Sequence, residues 1–109
     1  MDNTTTKKKI ALLGSTGSIG TQALDVIRQN SDKFEVEVLT AYSNDELLLN
    51  QALEFKPNTV VIVDESKYEA LSDRLWKEGI KTYCGEKSLE DVVQMEEVDL
   101  VLTALVGYS

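Results

Sequence analysis

The chain has 109 residues, of which 42% are hydrophobic and 28% charged, and its net charge is −8. This length allows one domain with a modest core, and the negative charge argues against a surface for nucleic acid or anionic membranes, which requires clustered Lys and Arg. The single cysteine and the absence of histidine exclude an intrachain disulfide, a Ser-His-Asp triad and the common zinc sites.

Short apolar runs alternate along the chain with segments that have helical spacing. Residues 1–8 are predicted to form a disordered tail, and the continuous apolar run 10–13 predicts a strand buried on both faces. From Ser18 onward the spacing is that of a helix, which is expected to end near residues 30–32. The apolar side predicted for this first helix consists of Ile19, Ala23, Val26 and Ile27.

A second strand and a second helix follow. Residues 34–41 predict the strand, and one of its sides is expected to consist of Val36, Val38 and Thr40. Ser43 and Glu46 have the spacing of a capping box, which predicts that Ser43 caps the second helix. That helix is expected to end before Pro57. Its predicted apolar side consists of Leu48, Leu49, Ala52, Leu53 and Phe55.

Three further strands, one of them weak, and two helices are predicted in the second half of the chain. Residues 59–63 are β-branched throughout, which predicts a buried, central strand. The third helix is expected to end at Gly79, and its apolar residues are Tyr68, Leu71, Leu75 and Trp76. Residues 81–83 predict the weak strand, Ser88 is expected to cap the fourth helix, and the last strand is expected at 100–106.

This alternation predicts an α/β fold, a Rossmann-like doubly wound parallel sheet with helices on both faces. A sheet of this kind normally continues with another helix and strand after the last strand predicted here. We therefore expect residues 9–109 to be an incomplete nucleotide-binding domain, truncated after the strand near 100–106. Catalytic and C-terminal domains are expected elsewhere in a longer polypeptide.

The turn between the first strand and the first helix has glycine at every third position, at Gly14, Gly17 and Gly20. Gly14 can adopt the positive φ of a sharp exit from the strand, Gly17 leaves room for a pyrophosphate against the backbone, and Gly20 allows close packing of the helix on the sheet. The main-chain N–H groups of residues 16–19 are expected to bind the phosphates at the positive end of the helix dipole. The hydroxyl groups expected to assist belong to Ser15, Thr16 and Ser18. This pattern, between a strand and a helix, predicts a dinucleotide site.

The end of the second strand indicates which dinucleotide is bound. An NAD site places a carboxylate there for the ribose 2′-OH, whereas this chain has Tyr42, Ser43 and Asn44. Asp45 and Glu46 follow, but we assign them to the first turn of the next helix, where they favour the helix dipole. Neutral groups tolerate a 2′-phosphate, so the sequence favours NADP, although residues 42–44 provide no basic side chain to hold it.

Residues 14–28 resemble the opening of the 1-deoxy-D-xylulose 5-phosphate reductoisomerase family, in which a Gly-Ser-Thr-Gly-Ser-Ile-Gly turn precedes a helix containing Leu-Asp-Val, here residues 24–26. The resemblance continues along nearly the whole chain from Lys9. Its further matches are Phe34, Asn44, 55–57, 98–99 and 104–107.

Membership in this family implies the conversion of 1-deoxy-D-xylulose 5-phosphate to 2-C-methyl-D-erythritol 4-phosphate in the non-mevalonate pathway of isoprenoid biosynthesis. The resemblance implies a cytoplasmic homodimer that uses NADPH and a divalent cation, Mg²⁺, Mn²⁺ or Co²⁺. It places the metal ligands and the residues for the substrate phosphate C-terminal to this chain, so no catalytic or metal-binding residue is assigned here. The fragment alone is expected to bind cofactor without catalysing the reaction.

The predicted cofactor-binding residues are Gly14, Thr16, Gly17, Ser18, Ile19, Gly20, Tyr42, Ser43 and Asn44. Relative to the family, the chain departs at Tyr42 and Ser43, where glycine and a basic residue are common, and retains Asn44. Acidic residues at helix starts and in loops are interpreted as solvated rather than catalytic. They include Asp64, Glu90 and Asp99.

Two alternatives remain open from the residues themselves. The first is another NAD(P)-dependent dehydrogenase with a similar turn, of the homoserine or aspartate-semialdehyde type. The second is a regulatory module that senses a dinucleotide and transmits its state to a partner. A sensing module is expected to be complete at its last strand, whereas a truncated enzyme domain is expected to leave an apolar sheet edge exposed. No run of about 20 apolar residues predicts a membrane span, and the polar N-terminus does not resemble a secretory signal.

Overall fold

A computed structural model describes residues 7–104, in which five strands alternate with four α-helices. The strands are β1 (Lys8–Leu13), β2 (Phe34–Ala41), β3 (Thr59–Ile62), β4 (Lys81–Cys84) and β5 (Leu100–Thr103). The helices are α1 (Ser18–Gln29), α2 (Asp45–Phe55), α3 (Tyr68–Trp76), preceded by the 3-10 turn Glu65–Lys67, and α4 (Glu86–Val93). All the strand pairs are parallel, in the order β4-β3-β2-β1-β5.

The predicted doubly wound α/β sheet is confirmed, including the weak strand, which becomes the edge strand β4. The chain proceeds outward from β1 to β4 and then returns to place β5 on the other side of β1. The carboxyl ends of β1 and β5 therefore form the topological switch point, where ligands of such sheets bind. The prediction that residues 59–63 form the central strand was wrong, because β2 occupies that place and β3 lies beside it.

Both faces of the sheet are covered, by different helices. On one face, α1, α2 and α3 pack against β-strand residues that include Leu12, Leu39 and Ile62. On the other face, α4 and the segment after it cover Ala11, Val38 and Val61. All four residues of β3 are buried, which explains its uninterrupted β-branched sequence.

A β-bulge in β2 changes which of its residues share a face. Ile10 lies opposite Val36, but the next residue of β1 lies opposite Val38, so Glu37 is the extra residue. Val36 consequently packs under α1–α3, and Val38 packs under α4. The prediction that Val36 and Val38 share one face was therefore wrong.

Helix α1 is rotated relative to its predicted orientation. Its buried residues are Gly20, Leu24 and Ile27, whereas Ile19 and Val26 are 55% and 56% exposed. The reason is the close contact of Gly20 with the preceding turn, which places positions four and seven residues later on the buried side. Ile19 is therefore left at the surface, in the first turn of the helix.

Two predicted helix caps were also wrong. Asn44, not Ser43, caps α2: its Oδ1 accepts a hydrogen bond from the Leu47 N–H at 3.2 Å. The fourth helix begins after Gly85, and Ser88 lies within it, where its hydroxyl donates to the Cys84 carbonyl oxygen at 2.9 Å. In α2 the neighbouring Asn44 competes successfully for the cap position, whereas α4 begins after a glycine and has no side-chain cap.

The ends of several elements differ from prediction. β1 begins at Lys8, whose N–H donates to the Lys33 carbonyl oxygen at 2.9 Å. Trp76, predicted on the apolar side of α3, ends that helix and is 78% exposed. β5 ends at Thr103. Residues 1–6 of the predicted tail and residues 105–106 of the predicted last strand lie outside the described residues.

Candidate functional site

The glycine turn is attached to the neighbouring strand at the carboxyl edge of the sheet. Gly14 has a φ of 83°, as predicted for the exit from β1. Its N–H donates to the carbonyl oxygen of Thr40 at 3.1 Å and to the Thr40 hydroxyl oxygen at 3.0 Å. The Ser15 N–H donates to the same carbonyl oxygen at 2.8 Å. The start of the turn is therefore fixed on β2, beside the switch point.

The structure requires glycine at some positions of the turn and not at others. A Cβ on Gly20 would lie 2.1 Å from the Gly14 carbonyl oxygen and 2.7 Å from backbone atoms of Ser15, so packing requires glycine there. The prediction that Gly20 allows close packing on the sheet was wrong in its partner, because the atoms that a Cβ would meet belong to the turn itself. At Gly17 φ is −79° and a Cβ would have Gly14 O as its nearest neighbour, at 3.9 Å. Neither conformation nor packing within residues 7–104 requires glycine at position 17.

The start of α1 differs from the starts of the other described α-helices in its charge. Gly17 precedes the helix without a side-chain cap, and the first turn of α1 contains no acidic residue. The first turns of α2, α3 and α4 contain Asp45 and Glu46, Glu69, and Glu86, respectively. The N–H groups at the start of α1 and its helix dipole therefore face an exposed surface without a carboxylate of that turn to neutralise them, which suits an anionic ligand.

The side chains of the turn have two orientations. Thr16 is half-buried, and Ser18 and Ile19 are exposed beside Gly17. Ser15 is fully buried and faces the protein, where its hydroxyl donates to Gln51 Oε1 at 2.6 Å. Its predicted role as a phosphate ligand is therefore replaced by a structural one.

Gln51, in α2, was not predicted as a residue of the site. Its side-chain amide donates back to the Ser15 carbonyl oxygen at 2.9 Å, and it is 7% exposed. It lies 36 positions from Ser15 in sequence. A polar residue on the predicted apolar side of α2 is the only sequence signal of this contact.

The second predicted segment, residues 42–44, follows β2 at the same edge of the sheet. All three residues are exposed, and Tyr42 is 64% exposed. The Tyr42 carbonyl oxygen accepts a hydrogen bond from the Asp64 N–H at 2.8 Å, which attaches the segment after β2 to the segment after β3. As predicted, Asp45 and Glu46 lie in the first turn of α2.

The acids that were interpreted as solvated have structural contacts or exposed positions. Asp64 Oδ1 accepts hydrogen bonds from the Ser66 hydroxyl at 2.7 Å and the Ser66 N–H at 3.0 Å, and these bonds lower the pKa of the Asp64 carboxyl. Asp99 Oδ2 accepts from the Lys9 N–H at 2.9 Å and joins β5 to β1. Glu90 is exposed on α4.

Neither a metal cluster nor a membrane span is found in the part of the chain that the structure describes. No group of three or more His, Cys, Asp or Glu residues within 7–104 is placed to hold a metal ion. None of the helices in that range has both the length and the hydropathy to cross a membrane. No metal-dependent step is therefore derived from these residues.

Comparison with known proteins gives the family. The sequence model of the 1-deoxy-D-xylulose 5-phosphate reductoisomerase family matches residues 10–109. The chain belongs to this family. The reductoisomerase of Porphyromonas gingivalis is 50% identical over 103 residues, which are 94% of this chain and 27% of that protein. The reductoisomerase of Thermoanaerobacter sp. is 46% identical over 102 residues, 94% of this chain and 26% of that protein. The chain thus spans about a quarter of the length of these relatives.

Solved reductoisomerase structures share the fold. A complex of a DOX-P reductoisomerase with magnesium superposes with a TM-score of 0.86 at 33% identity, over 94% of this chain and 26% of that one. The Zymomonas mobilis reductoisomerase in complex with NADPH gives a TM-score of 0.79 at 32% identity, over 83% and 24%. A third reductoisomerase structure contains NADPH, fosmidomycin and magnesium, with a TM-score of 0.85 at 31% identity over 90% and 24%. The family assignment sets aside the homoserine and semialdehyde dehydrogenases and the sensing module.

Proposed function

We propose that this chain is the NADPH-binding part of a reductoisomerase that converts 1-deoxy-D-xylulose 5-phosphate to 2-C-methyl-D-erythritol 4-phosphate. The observation that carries the proposal is Gly17, where the fold leaves room for a Cβ and the sequence nevertheless has glycine. A pyrophosphate against the backbone at this position explains the missing side chain. The uncapped, acid-free start of α1 supplies the N–H groups and the positive dipole end for that anion.

The predicted residues have distinct roles in this proposal. Gly14 and Gly20 shape the turn, and the backbone of Thr16, Gly17 and Ser18 binds the pyrophosphate. The exposed Ile19 provides an apolar contact beside it. The segment of Tyr42, Ser43 and Asn44 then lies along the adenosine ribose at the end of β2. NADPH, when bound, supplies the hydride for reduction.

The whole protein's properties are part of the same proposal. We propose a cytoplasmic homodimer in which a divalent cation and the sugar phosphate are bound by residues outside this chain, since relatives in the family are about four times as long. The 109 residues alone are then expected to bind NADPH without turning over 1-deoxy-D-xylulose 5-phosphate.

The test is a titration of the chain with NADPH, monitored by the fluorescence of the cofactor because Trp76 lies at the opposite edge of the sheet. Gly17→Val is expected to weaken NADPH binding by more than about tenfold, since a branched side chain occupies the place of the phosphate. Gln22→Ala, an exposed change on the same helix, is the control and should bind as the parent does. Equal NADPH affinity of Gly17→Val and the parent, with both folded by circular dichroism, would refute the proposed site.

A further inference from the structure

The segment proposed to lie along the adenosine ribose, whose 2′-hydroxyl carries a phosphate in NADPH, contains no cation. Residues 42–44 are a tyrosine, a serine and an asparagine. A phosphomonoester carries a charge of about −1.5 to −2 at neutral pH, and the protein itself has a net charge of −8. Selective binding of such a group at an exposed site requires a nearby positive charge. If the proposed function is correct, that charge comes from another part of the fold.

The topology leaves two of the 11 Lys and Arg residues in the sequence as candidates for this positive charge. In a parallel sheet, the carboxyl ends of the strands and the starts of the helices share one edge. Nine of the cations lie at strand starts or helix ends, toward the opposite edge: Lys7, Lys8, Lys9, Arg28, Lys33, Lys56, Arg74, Lys77 and Lys81. Only Lys67 and Lys87 lie at the edge that carries the glycine turn.

Of these two, Lys67 adjoins the segment 42–44. Its Nζ is 3.8 Å from Oδ1 of Asp45, the residue that directly follows the segment. The chain before Lys67 is hydrogen-bonded to the same region, through Val63 N–H to Ala41 O at 3.0 Å and Asp64 N–H to Tyr42 O at 2.8 Å. The backbone therefore holds the 3-10 turn that ends at Lys67 beside the end of β2.

Lys87, the other candidate, lies on a different helix. It belongs to α4, which covers the other face of the sheet and follows the edge strand β4. Its Nζ is directed along its own helix, 3.9 Å from Asp91 Oδ1.

We propose that Lys67 binds the 2′-phosphate of NADPH and gives this site its preference for NADPH over NADH. The inference rests on the proposed function. In the structure the ammonium lies near Asp45, but both side chains are partly exposed, at 45% and 31%, and such pairs are weak. The Lys67 ammonium leaves Asp45 for the phosphate, whose charge is larger and whose three oxygens all accept hydrogen bonds.

The experiment compares the affinities of NADPH and NADH, and of the fragments 2′,5′-ADP and 5′-AMP, for the chain and four variants. Lys67→Met is expected to weaken NADPH and 2′,5′-ADP about tenfold or more and NADH and 5′-AMP less than about twofold. Lys67→Arg should retain the preference. Asp45→Asn should strengthen NADPH binding about threefold, because it removes the competing anion.

Lys56→Met is the matched control. Lys56 follows the other end of α2, is 58% exposed, and pairs with Glu78 at 2.9 Å. Its substitution changes the net charge by the same amount as Lys67→Met, and it should leave all four affinities unchanged. The proposal is overturned if Lys67→Met weakens NADPH no more than Lys56→Met does, or weakens NADPH and NADH equally. If the unsubstituted chain binds neither dinucleotide, the proposed function itself fails.

Discussion

Ser15 and Gln51 join the glycine turn to α2 through two reciprocal hydrogen bonds. The Ser15 hydroxyl donates to Gln51 Oε1 at 2.6 Å, and Gln51 Nε2 donates to the Ser15 carbonyl oxygen at 2.9 Å. The segment 42–44, proposed to lie along the ribose, leads directly into the same helix. One helix therefore sets the separation between the two segments proposed to contact the cofactor.

We expect Gln51→Leu to lower the free energy of unfolding by about 1–3 kcal/mol, because it leaves the buried hydroxyl and carbonyl groups of Ser15 without their partner. NADPH affinity should fall as well, since the turn loses its attachment to α2. Urea denaturation and cofactor titration measure the two effects. Ser15→Ala should cost less in the Gln51→Leu background than in the parent, because the two residues interact directly.

Asn50→Leu is the control for this pair, since Asn50 is exposed and adjacent on α2. It should change the free energy of unfolding by no more than about 0.5 kcal/mol. Additive effects of Ser15→Ala and Gln51→Leu would show that the hydrogen bond from the Ser15 hydroxyl to Gln51 Oε1 does not stabilise the turn.

Gly20→Ala and Gly17→Ala separate the structural glycine from the one proposed to bind phosphate. At position 20 the added methyl group would lie 2.1 Å from the Gly14 carbonyl oxygen, so the helix or the turn must shift. We expect a loss of about 3 kcal/mol or more of unfolding free energy, as at an overpacked site. At position 17 the methyl group meets no atom closer than 3.9 Å, and the loss should be within about 1 kcal/mol.

Urea midpoints of the two variants, measured without cofactor, check this prediction. Similar destabilisation by both changes would contradict the difference in packing between the two positions. NADPH affinity then completes the comparison, because Gly17→Ala is expected to weaken binding in a protein that remains folded.

Local patterns in the sequence predicted the succession of strands and helices along the chain and the conformation of the glycine turn, because these depend on neighbouring residues. Gly14 adopts the positive φ that a turn after a strand requires. Local patterns did not predict which residues of β2 and α1 face the core. The bulge at Glu37 depends on the register between β1 and β2, and the rotation of α1 depends on the contact of Gly20 with the turn.

The rest of the candidate site depends on residues that are distant in sequence. Gln51 reaches Ser15 across 36 positions, and Thr40 reaches Gly14 across 26. Lys67 comes close to Asp45 only because β2 and β3 are neighbours in the sheet. Periodicity and spacing contain no information on such pairs until the strand order is known.

The cap of α2 gives a third prediction. Asn44→Ala should lower the free energy of unfolding by about 1 kcal/mol, because the Leu47 N–H loses its acceptor. Ser43→Ala is the matched control, because Ser43 lies one residue earlier and is also exposed, and it should have an effect within about 0.5 kcal/mol. Thermal or urea denaturation distinguishes the two. A larger effect at Ser43 would restore the capping box that the sequence predicted.

Glu37, the extra residue of the β2 bulge, gives a prediction about pH. Glu37 is 8% exposed, and burial raises the pKa of its carboxyl, with a smaller opposing effect of Lys9. A raised pKa in the folded state means that folding favours the protonated form. Ionisation of Glu37 therefore opposes folding at neutral pH, and the opposition disappears as the pH falls below the unfolded value of about 4.3.

Glu37→Gln is consequently expected to raise the free energy of unfolding at pH 7, by about 0.5 kcal/mol. The difference from the parent should already be smaller at pH 4 than at pH 7 and approach zero at lower pH, where the parent carboxyl is protonated in both states. Glu35→Gln is the control, because it removes the same charge from an exposed position on the same strand. Urea denaturation of the three proteins at several pH values measures the effect. The burial of Glu37 is not the cause if both substitutions stabilise equally, or if the gain from Glu37→Gln persists unchanged at pH 4.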